Sequence, residues 1–372
     1  MKKYIFDIAE FETDKSVFDR FELFIAVKSF DLQAIRKRYL ASRKRSITGS
    51  VERRQPAQGG LVKMIIENGK IIESAIIARL TEPRGIDFQN NISAVSSENK
   101  IFVFNQLSNK PVIIENDWLS YIHTVRFNRD SSNILVSSSG LDSIFEFEIK
   151  TGKKLWEWFA WENGFNRGEN PESGEKHILT RFPLEQALYK NEKVILINDP
   201  KNQILPTALR AAFINSAEYV SSDSIFATLF HHGLVIQISK KYVEYKIIFD
   251  QLSKPHGGMI FGKNQIVTDT GGGRVIIKNN KEIAEYHFHN LPGKPAEVSS
   301  LEWLQFSRTD ANKIITIDSN RSELIFVDTK YQKRMHVPFN SNWALQEFQI
   351  VKNDFLPGLK TIKNWFNNLA KM

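Results

Sequence analysis

The sequence of 372 residues contains no cysteine. Disulfides, thiolate metal sites and a cysteine nucleophile are therefore excluded, and any bound metal must use His, Asp or Glu. The sequence also lacks an apolar run near the roughly 20 residues that a membrane-spanning helix needs. Its start, "MKKYIFDIAEFETDKSVF", has carboxylates where a signal peptide has its apolar stretch. We expect a soluble, cytoplasmic protein without a transmembrane segment.

The charge of the chain is concentrated at its two ends. Residues 1–60 contain 13 Lys and Arg against 8 Asp and Glu, and residues 351–372 contain 4 against 1, within a total net charge of +8. Eight basic residues crowd together in the first part: Arg36, Lys37, Arg38, Arg43, Lys44, Arg45, Arg53 and Arg54. This cluster could bind an anionic surface or a protein partner. A solvated basic helix and tail is the simpler interpretation, and we do not expect a nucleic-acid partner.

An internal repeat organises the rest of the chain. Segments of five residues that end in Phe recur at Phe88, Phe127, Phe213, Phe261, Phe306 and Phe348. Their spacings are 39, 86, 48, 45 and 42 residues, close to the about 40 to 50 residues of a four-stranded propeller blade. Each is followed by alternating runs of Val, Ile and Phe separated by Gly, Asn, Asp and Ser, as strands and hairpins require.

The repeat predicts an all-β fold, a six-bladed β-propeller with short N- and C-terminal helices. Residues 61–78 form a strand hairpin without a first strand, so they could complete the blade that begins at the last Phe segment and remove an open edge. The long second spacing predicts an insertion at about 160–205. A seventh blade hidden in residues 150–205 is the alternative.

Two segments lie outside this repeat. Residues 1–55 are interpreted as a basic helical segment, in which Asp31 is a plausible N-cap of a helix. Residues 353–372 are interpreted as a C-terminal amphipathic helix with Ile362, Trp365 and Phe366 on one face. This helix could bind a membrane surface or a partner, although docking on the propeller itself is the more ordinary arrangement. The propeller then covers residues 56–352.

A candidate site follows from the geometry of a propeller, because the residue that begins each inner strand lies at one end of the central channel. His123, Arg84 and Glu302 occupy such positions, and His256 and Arg210 are one residue away. These five are the predicted catalytic residues. The hairpin tips add His231, His232 and Asp269 at the same end.

The insertion supplies further candidates, because its aromatic residues suit a wall or lid that stacks on a ligand. The predicted substrate-binding residues are Trp161, Phe165, Arg167, His177 and Asp269. Three chemistries are open to the site. His123, His231, His232 and His256 could hold a divalent metal such as Zn, Fe, Cu or Ca. A histidine could instead act as general base or nucleophile while Arg84 and Arg210 bind an anionic group, or the site could simply bind an anionic ligand.

Two groups of proteins are similar to these blades. "PRGIDF" and "KPHGGMIFGKNQIVTDTGGGRVIIKN" resemble blades of the six-bladed NHL and lactonase-like propellers. "IHTVRFNRDSSNILVSSSGLDSIFEFEIKTGKKLWEW" resembles a blade of the arylsulfotransferase-like propellers. The first resemblance implies a metal held by histidines of several blades, here His123 and His256 with His231 or His232. The second implies that His123 accepts a transferred group.

These observations predict an enzyme that acts on a small anionic molecule at an axial site lined by His and Arg. The reaction would be that of a lyase, a hydrolase or a group transferase, with metal assistance left open. The alternative is a non-catalytic propeller that binds partners through its basic N-terminal segment and its C-terminal helix. A fold shared by many activities does not decide between them.

Overall fold

A computed structural model describes residues 1–42, 49–89, 92–105, 108, 110–351 and 359–369. Arg43, Lys44 and Arg45 of the predicted basic cluster lie outside these residues, as do 353–358 and 370–372 of the predicted C-terminal segment. The described residues form an all-β structure with two short α-helices, as predicted. Neither helix is long and apolar enough to cross a membrane.

The N-terminal part alternates strands with one helix. Its elements are β1 (Lys2–Asp7), β2 (Glu12–Thr13), β3 (Phe21–Ser29), α1 (Leu32–Ser42), β4 (Gln58–Glu67) and β5 (Lys70–Thr81). The predicted helix therefore exists, and Asp31 caps it by accepting a hydrogen bond from the Ala34 amide at 2.8 Å. The expectation that residues 1–55 are helical is wrong for residues 2–29, which contain three strands.

Four-stranded antiparallel units follow along the chain. The first two contain β6 (Ile86–Gln89), β7 (Ile92–Ser97), β8 (Lys100–Asn105) and β9 (Val112–Glu115), then β10 (Ile122–Phe127), β11 (Asn133–Ser138), β12 (Ser143–Glu148) and β13 (Lys154–Phe159). The predicted insertion contains a separate sheet of β14 (Arg167–Glu169), β15 (Lys176–Thr180) and β16 (Lys193–Leu196), in which β15 and β16 are parallel.

Three further units complete the β-structure. They contain β17 (Ile214–Ser221), β18 (Ser224–Leu229), β19 (Leu234–Ser239) and β20 (Tyr245–Phe249); β21 (His256–Phe261), β22 (Asn264–Asp269), β23 (Arg274–Lys278) and β24 (Glu282–His287); and β25 (Leu304–Asp310), β26 (Lys313–Asp318), β27 (Glu323–Asp328) and β28 (Lys333–Pro338). β1 adds in parallel to β24, and β2 adds in parallel to β28. The two short strands thus cover sheet edges that would otherwise be open.

The last sheet joins the two ends of the chain. It has the order β29-β3-β4-β5, where β29 is Ala344–Val351. The hairpin predicted at 61–78 is β4 and β5, but β3 lies between it and β29. β3 reads "FELFIAVKS", and its Leu23, Phe24 and Ile25 are fully buried, so both faces of the strand are covered. A strand buried on both faces has a continuous apolar run rather than alternation, and this hid β3 in the sequence.

The first strands of the four-stranded units contact one another in sequence. β6 contacts β10, β10 contacts β17, β17 contacts β21, β21 contacts β25, β25 contacts β29, and β29 contacts β6. Because β10, β11 and β12 contact β17 directly, the small sheet of the insertion does not separate them.

The Phe positions differ in detail from the predicted repeat, and Phe88 and Phe348 lie inside β6 and β29 rather than at their ends. Phe127 and Phe261 end first strands as expected, but Phe213 precedes β17 and has a left-handed backbone with φ of 50°. Phe306 lies near the start of β25 rather than at its end. The glycine-rich segment 270–273 is the tip between β22 and β23, as predicted.

The C-terminal helix α2 (Leu359–Leu369) packs on the β-structure against β5. Ile362 and Phe366 are buried in a cluster with Phe24, and the Phe366 ring makes edge contacts with Phe102 at 5.1 Å and Phe104 at 5.8 Å between ring centroids. The apolar face of α2 is therefore occupied by the same chain.

Candidate functional site

A cavity of about 190 Å³ lies where the chain enters several first strands. His123 on β10 and His256 at the start of β21 line it together with Arg84 and Arg210. These are four of the five predicted catalytic residues, and all four are at most 8% exposed. The repeat therefore brings together side chains that are up to 172 positions apart in the sequence.

The hydrogen bonds of His123 define its tautomer. Its Nδ1 lies 2.9 Å from Ser139 Oγ, and Ser139 Oγ donates its proton to the Ile214 carbonyl. Nδ1 must then be the donor to Ser139, because the hydroxyl has one proton to give. Nε2 is left with its lone pair, and it has no hydrogen-bond partner among the described residues.

His256 has the same tautomer for a similar reason. Its Nδ1 lies 3.2 Å from the Lys254 carbonyl and 2.9 Å from Thr270 Oγ1. A carbonyl only accepts, so Nδ1 carries the proton and Nε2 is again the ring nitrogen left for a ligand. The rings of His123 and His256 are 6.3 Å apart between centroids. The cavity thus contains two imidazoles that can accept a proton.

Both histidines are uncharged at neutral pH. Burial lowers the pKa of His123 well below its ordinary value, and the nearby Arg84 lowers it further. Burial, with the charge of Lys28, lowers the pKa of His256 to about 3. A neutral imidazole is the form that acts as a base or nucleophile.

Three guanidinium groups surround the ring of Tyr121. The Cζ atoms of Arg84, Arg210 and Arg54 lie 4.4, 4.5 and 5.2 Å from its centroid. Such stacking holds cations by attraction to the ring face while leaving N–H groups to bind an anion. Tyr121 itself has a left-handed backbone with φ of 56°, an unfavourable conformation that in proteins is concentrated at functional sites.

Positive charge exceeds negative charge around the cavity. The described lining includes one carboxylate, Glu52, and seven basic residues: Lys28, Arg38, Arg53, Arg54, Arg84, Arg210 and Lys254. Buried Glu82 lies behind this lining and forms ion pairs with Arg54 and Arg84, the latter at 3.7 Å. Burial lowers the pKa of Arg210 to about 10, and its described side-chain hydrogen bonds go to the Leu205 carbonyl. The cavity is suited to an anion.

The N-terminal segment forms one wall of the cavity. Ile35, Arg38 and Tyr39 of α1 line it, and so do residues 50 and 52–54. Arg36 fixes the helix, because its buried guanidinium donates to the carbonyls of Ser319 at 2.6 Å and Asn320 at 2.8 Å. Three members of the predicted basic cluster, Arg38, Arg53 and Arg54, therefore line the cavity.

Aromatic side chains form the rest of the wall. Phe213 contacts the His123 ring at 5.5 Å, and Phe230 contacts the His256 ring at 5.4 Å. Trp303 lies 5.1 Å from the ring of Tyr39. The cavity thus combines basic groups with an apolar surface, which suits an anion with an organic body.

The other predicted residues lie elsewhere. Glu302 contacts Lys294 and lies 3.9 Å from Arg321, while its neighbours Trp303 and Gln305 line the cavity. Glu302 and Trp303 both precede β25 in an irregular segment, and of these two it is Trp303 that lines the cavity. Asp269 pairs with Arg274 at 2.8 Å and accepts the Ser253 amide, which gives it a structural contact at the hairpin tip.

The predicted residues of the insertion do not line this cavity. Trp161 is buried and donates to Asp142 at 3.2 Å, and Phe165 packs on His232 with centroids 5.0 Å apart. His177 is buried with its Nε2 2.9 Å from the Leu209 carbonyl. Arg167 lies in a neighbouring open pocket and pairs with Glu192 at 3.0 Å.

His231 and His232 line that neighbouring pocket rather than the cavity. His231 Nδ1 is bound to the Arg210 carbonyl at 2.9 Å. In the described part of the chain, no group of three or more His, Asp or Glu side chains is arranged to hold a metal ion. The four-histidine metal site predicted from the sequence is therefore not supported.

Several cavity residues were not predicted from the sequence. Lys28 and Tyr39 belong to the N-terminal segment, which the repeat does not include. Tyr121 precedes β10 by one residue, and Trp303 and Gln305 alternate with the residue chosen. Of these three, only Trp303 is adjacent to a predicted residue, since Tyr121 is two positions from His123 and Gln305 is three from Glu302.

No known protein-family model and no curated protein sequence matches this chain. Among solved structures it is similar to a chain in the "Crystal structure of Nidogen/Laminin Complex", with a TM-score of 0.52, 11% identity, and coverage of 90% of this chain and 98% of that chain. A protein of unknown function from Bacteroides caccae has a TM-score of 0.48, with 11% identity and coverage of 90% and 100%. A chain of the Mitotic Checkpoint Complex has 0.41, with 14% identity and coverage of 68% and 63%. At such identity the first similarity shows a propeller-like fold and nothing of function.

Proposed function

We propose that the chain is a six-bladed β-propeller that binds a small organic anion in the cavity beside His123 and His256 and acts on it as an enzyme. The contacts of β6, β10, β17, β21, β25 and β29 in cyclic order support six blades. In this arrangement β29 and β3 to β5 form the closing blade, and the small sheet of the insertion lies outside the ring. The blade motifs similar to NHL, lactonase-like and arylsulfotransferase-like propellers agree with such an architecture.

One observation carries the choice of ligand. The described part of the cavity wall presents seven basic residues and one carboxylate, and its two histidines are neutral. Partly desolvated guanidinium groups attract an anion more strongly than exposed ones, because water screens them less. Arg84 and Arg210, both held on the Tyr121 ring, are the groups that we expect to bind the anionic oxygens.

The reaction that we propose is general-base or nucleophilic catalysis by the histidines. Each Nδ1 is fixed by a hydrogen bond, so each ring presents Nε2 in a defined orientation. An Nε2 with a lone pair can accept a proton from a bound substrate or attack an electrophilic group. The alternative, a partner-binding module that uses α1 and α2, is less favoured because both helices pack on the same chain.

Calorimetric titration tests the anion site. Inorganic phosphate and phenyl phosphate are titrated at low ionic strength into the wild type, Arg84→Met, Arg210→Met and the control Arg129→Met, whose exposed side chain lies outside the cavity lining. We expect either cavity substitution to weaken binding at least about tenfold, since a charge-assisted hydrogen bond contributes about 1.5 to 3 kcal/mol. Phenyl phosphate should bind more tightly than phosphate because of the aromatic wall. Equal affinities in all four proteins would contradict the proposal.

Diethyl pyrocarbonate tests the histidines, because it reacts with neutral imidazole. At pH 5 an ordinary histidine is mostly protonated, whereas His123 and His256 should still be modified. Peptide mass mapping identifies the modified residues, and phenyl phosphate should protect both. Modification of His123 and His256 no faster than that of the exposed His289 at pH 5 would show that their Nε2 atoms are not available for reaction.

A further inference from the structure

Lys28 is a basic residue of the cavity whose surroundings differ from those of its neighbours. It lies near the end of β3, and its Nζ is 3.4 Å from the Gln305 side-chain oxygen and 5.7 Å from the centroid of the Trp303 ring. Both partners are uncharged and both line the cavity. The distance from Lys28 Nζ to the Gln305 oxygen is at the long limit for a hydrogen bond, so this contact holds the ammonium group only weakly.

Among the residues that the structure describes, Lys28 has no counter-ion of the kind that an ammonium group ordinarily has. Among the described residues no carboxylate lies within ion-pair distance of its Nζ, and the nearby Glu82 is already paired with Arg54 and Arg84. Burial lowers the pKa of Lys28 well below its ordinary value, and the charges of Arg84 and Arg54 lower it further. A desolvated lysine beside other cations is the environment in which an amine becomes nucleophilic.

We propose that Lys28 is a nucleophilic amine that forms an imine with a small anionic aldehyde or ketone bound in this cavity. The proposal rests on the anion site described above, and it names the chemical class of its ligand. The Arg84 and Arg210 guanidinium groups hold the anionic end, so that the carbonyl carbon is left for Nζ.

The step balances without a further reactant. The Nζ lone pair attacks the carbonyl carbon while the carbonyl π electrons move to oxygen, which gives a carbinolamine after proton transfer. The carbinolamine then loses its oxygen as water, formed with both protons that leave the nitrogen, and a C=N bond remains. Nε2 of His256 is a suitable group to accept a proton and return it to the departing oxygen, because its lone pair is free of hydrogen bonds among the described residues and the ring lines the same cavity as Lys28.

Lys254 provides a matched control within the same cavity. Its Nζ is 3.3 Å from the Tyr39 hydroxyl and 5.1 Å from the centroid of that ring, so it too has no described carboxylate partner. It differs from Lys28 in its hydroxyl partner. A labelling reaction that only reported access to the cavity would modify both lysines alike.

The experiment is reductive trapping with glyoxylate and sodium cyanoborohydride at pH 7, followed by peptide mass mapping of the wild type, Lys28→Met, Lys28→Arg and Lys254→Met. We expect Lys28 to be labelled at least about tenfold faster than Lys254 and the surface lysines, since each unit by which a pKa falls raises the neutral fraction about tenfold. Labelling at residue 28 should be lost in both Lys28 variants and retained in Lys254→Met. Inorganic phosphate should slow the labelling of Lys28.

Two outcomes separate this proposal from the anion site on which it rests. If phosphate binds the wild type and Lys28 is labelled no faster than Lys254, the imine proposal is wrong while the anion site stands. If phosphate does not bind and Lys28 is still labelled rapidly, the lysine is reactive but the ligand class is wrong. Labelling of the wild type is informative even if Lys28→Met fails to fold.

Discussion

Asp142 joins the fold to the candidate site, and its replacement by Asn is the sharpest test of that connection. Its buried carboxylate accepts four hydrogen bonds. Oδ1 accepts from the Phe213 amide at 2.6 Å, and Oδ2 accepts from the amides of Ala211 at 2.9 Å and Ala212 at 3.1 Å and from Trp161 Nε1. The carboxylate therefore fixes the segment that follows Arg210 and carries Phe213 into the cavity wall.

The magnitude follows from these bonds. Asp142→Asn replaces one carboxylate oxygen by an NH₂ group, which cannot accept a hydrogen bond from the surrounding amide and indole N–H groups. At least one buried N–H is therefore left without an acceptor. That loss costs about 1 to 3 kcal/mol, and the remaining bonds weaken because the acceptor is no longer charged. We expect the free energy of unfolding to fall by about 3 kcal/mol, with a parallel loss of phosphate affinity as Arg210 is displaced.

Urea unfolding followed by tryptophan fluorescence measures the change, and calorimetry measures the affinity. Asp130→Asn is the matched control, because Asp130 is exposed and accepts hydrogen bonds from the amide and hydroxyl of Ser132 in a surface turn. We expect its effect to be below about 1 kcal/mol. If Asp142→Asn is as mild as this control and binds phosphate normally, the carboxylate does not organise the segment and the reasoning fails.

Two further predictions concern pH and α1. The pKa of His256 is about 3 in the folded state and near 6.5 in the unfolded state. The unfolded state therefore binds the proton first, and His256 reduces the stability of the fold as pH falls below 6.5. His256→Asn should lessen this acid sensitivity in thermal unfolding. Burial raises the pKa of Asp87 to about 6, so Asp87 reduces the stability of the fold as pH rises from 4 to 6 rather than as it falls. Asp87→Asn should remove this loss of stability. The same dependence of stability on pH in the wild type and both variants would refute these assignments. Arg36→Ala should release α1 and weaken phosphate binding with little change in the midpoint of global unfolding, whereas the exposed control Lys37→Ala should change neither.

The fold class was within reach of the sequence because it depends on a repeated pattern. Alternating apolar residues and glycine-rich tips recur in each unit, so an error in one copy does not change the result. The hairpin tip at 270–273 and the positions of His123 and His256 followed from this regularity. β3 was missed because its apolar run has no alternation, and because its partner β29 lies more than 300 positions away.

The candidate site was harder to predict because it depends on single side chains. Glu302 and Trp303 are adjacent in the irregular segment before β25, where no strand alternation indicates which of the two side chains lines the cavity. The contribution of α1 depends on Arg36, which binds carbonyl groups about 283 positions away. Such a contact leaves no pattern in the sequence. Four of the five predicted catalytic residues therefore line the cavity. The predicted substrate-binding residues Trp161, Phe165 and His177 instead make packing contacts elsewhere.

The position of β3 also changes how the two hypotheses of function can be separated. Removing residues 1–55 would test a partner-binding segment only if the remaining chain folded without it. β3 lies between β29 and β4 in the closing sheet, and Leu23, Ile25 and Val27 are fully buried in the largest apolar cluster. Burial of such side chains contributes about 1.5 to 3 kcal/mol each, so this truncation would remove much of the stability of the fold. Loss of partner capture would then report unfolding. Lys37 belongs to the basic cluster but is exposed and does not line the cavity, so its substitution keeps β3 intact and tests partner capture without altering the anion site.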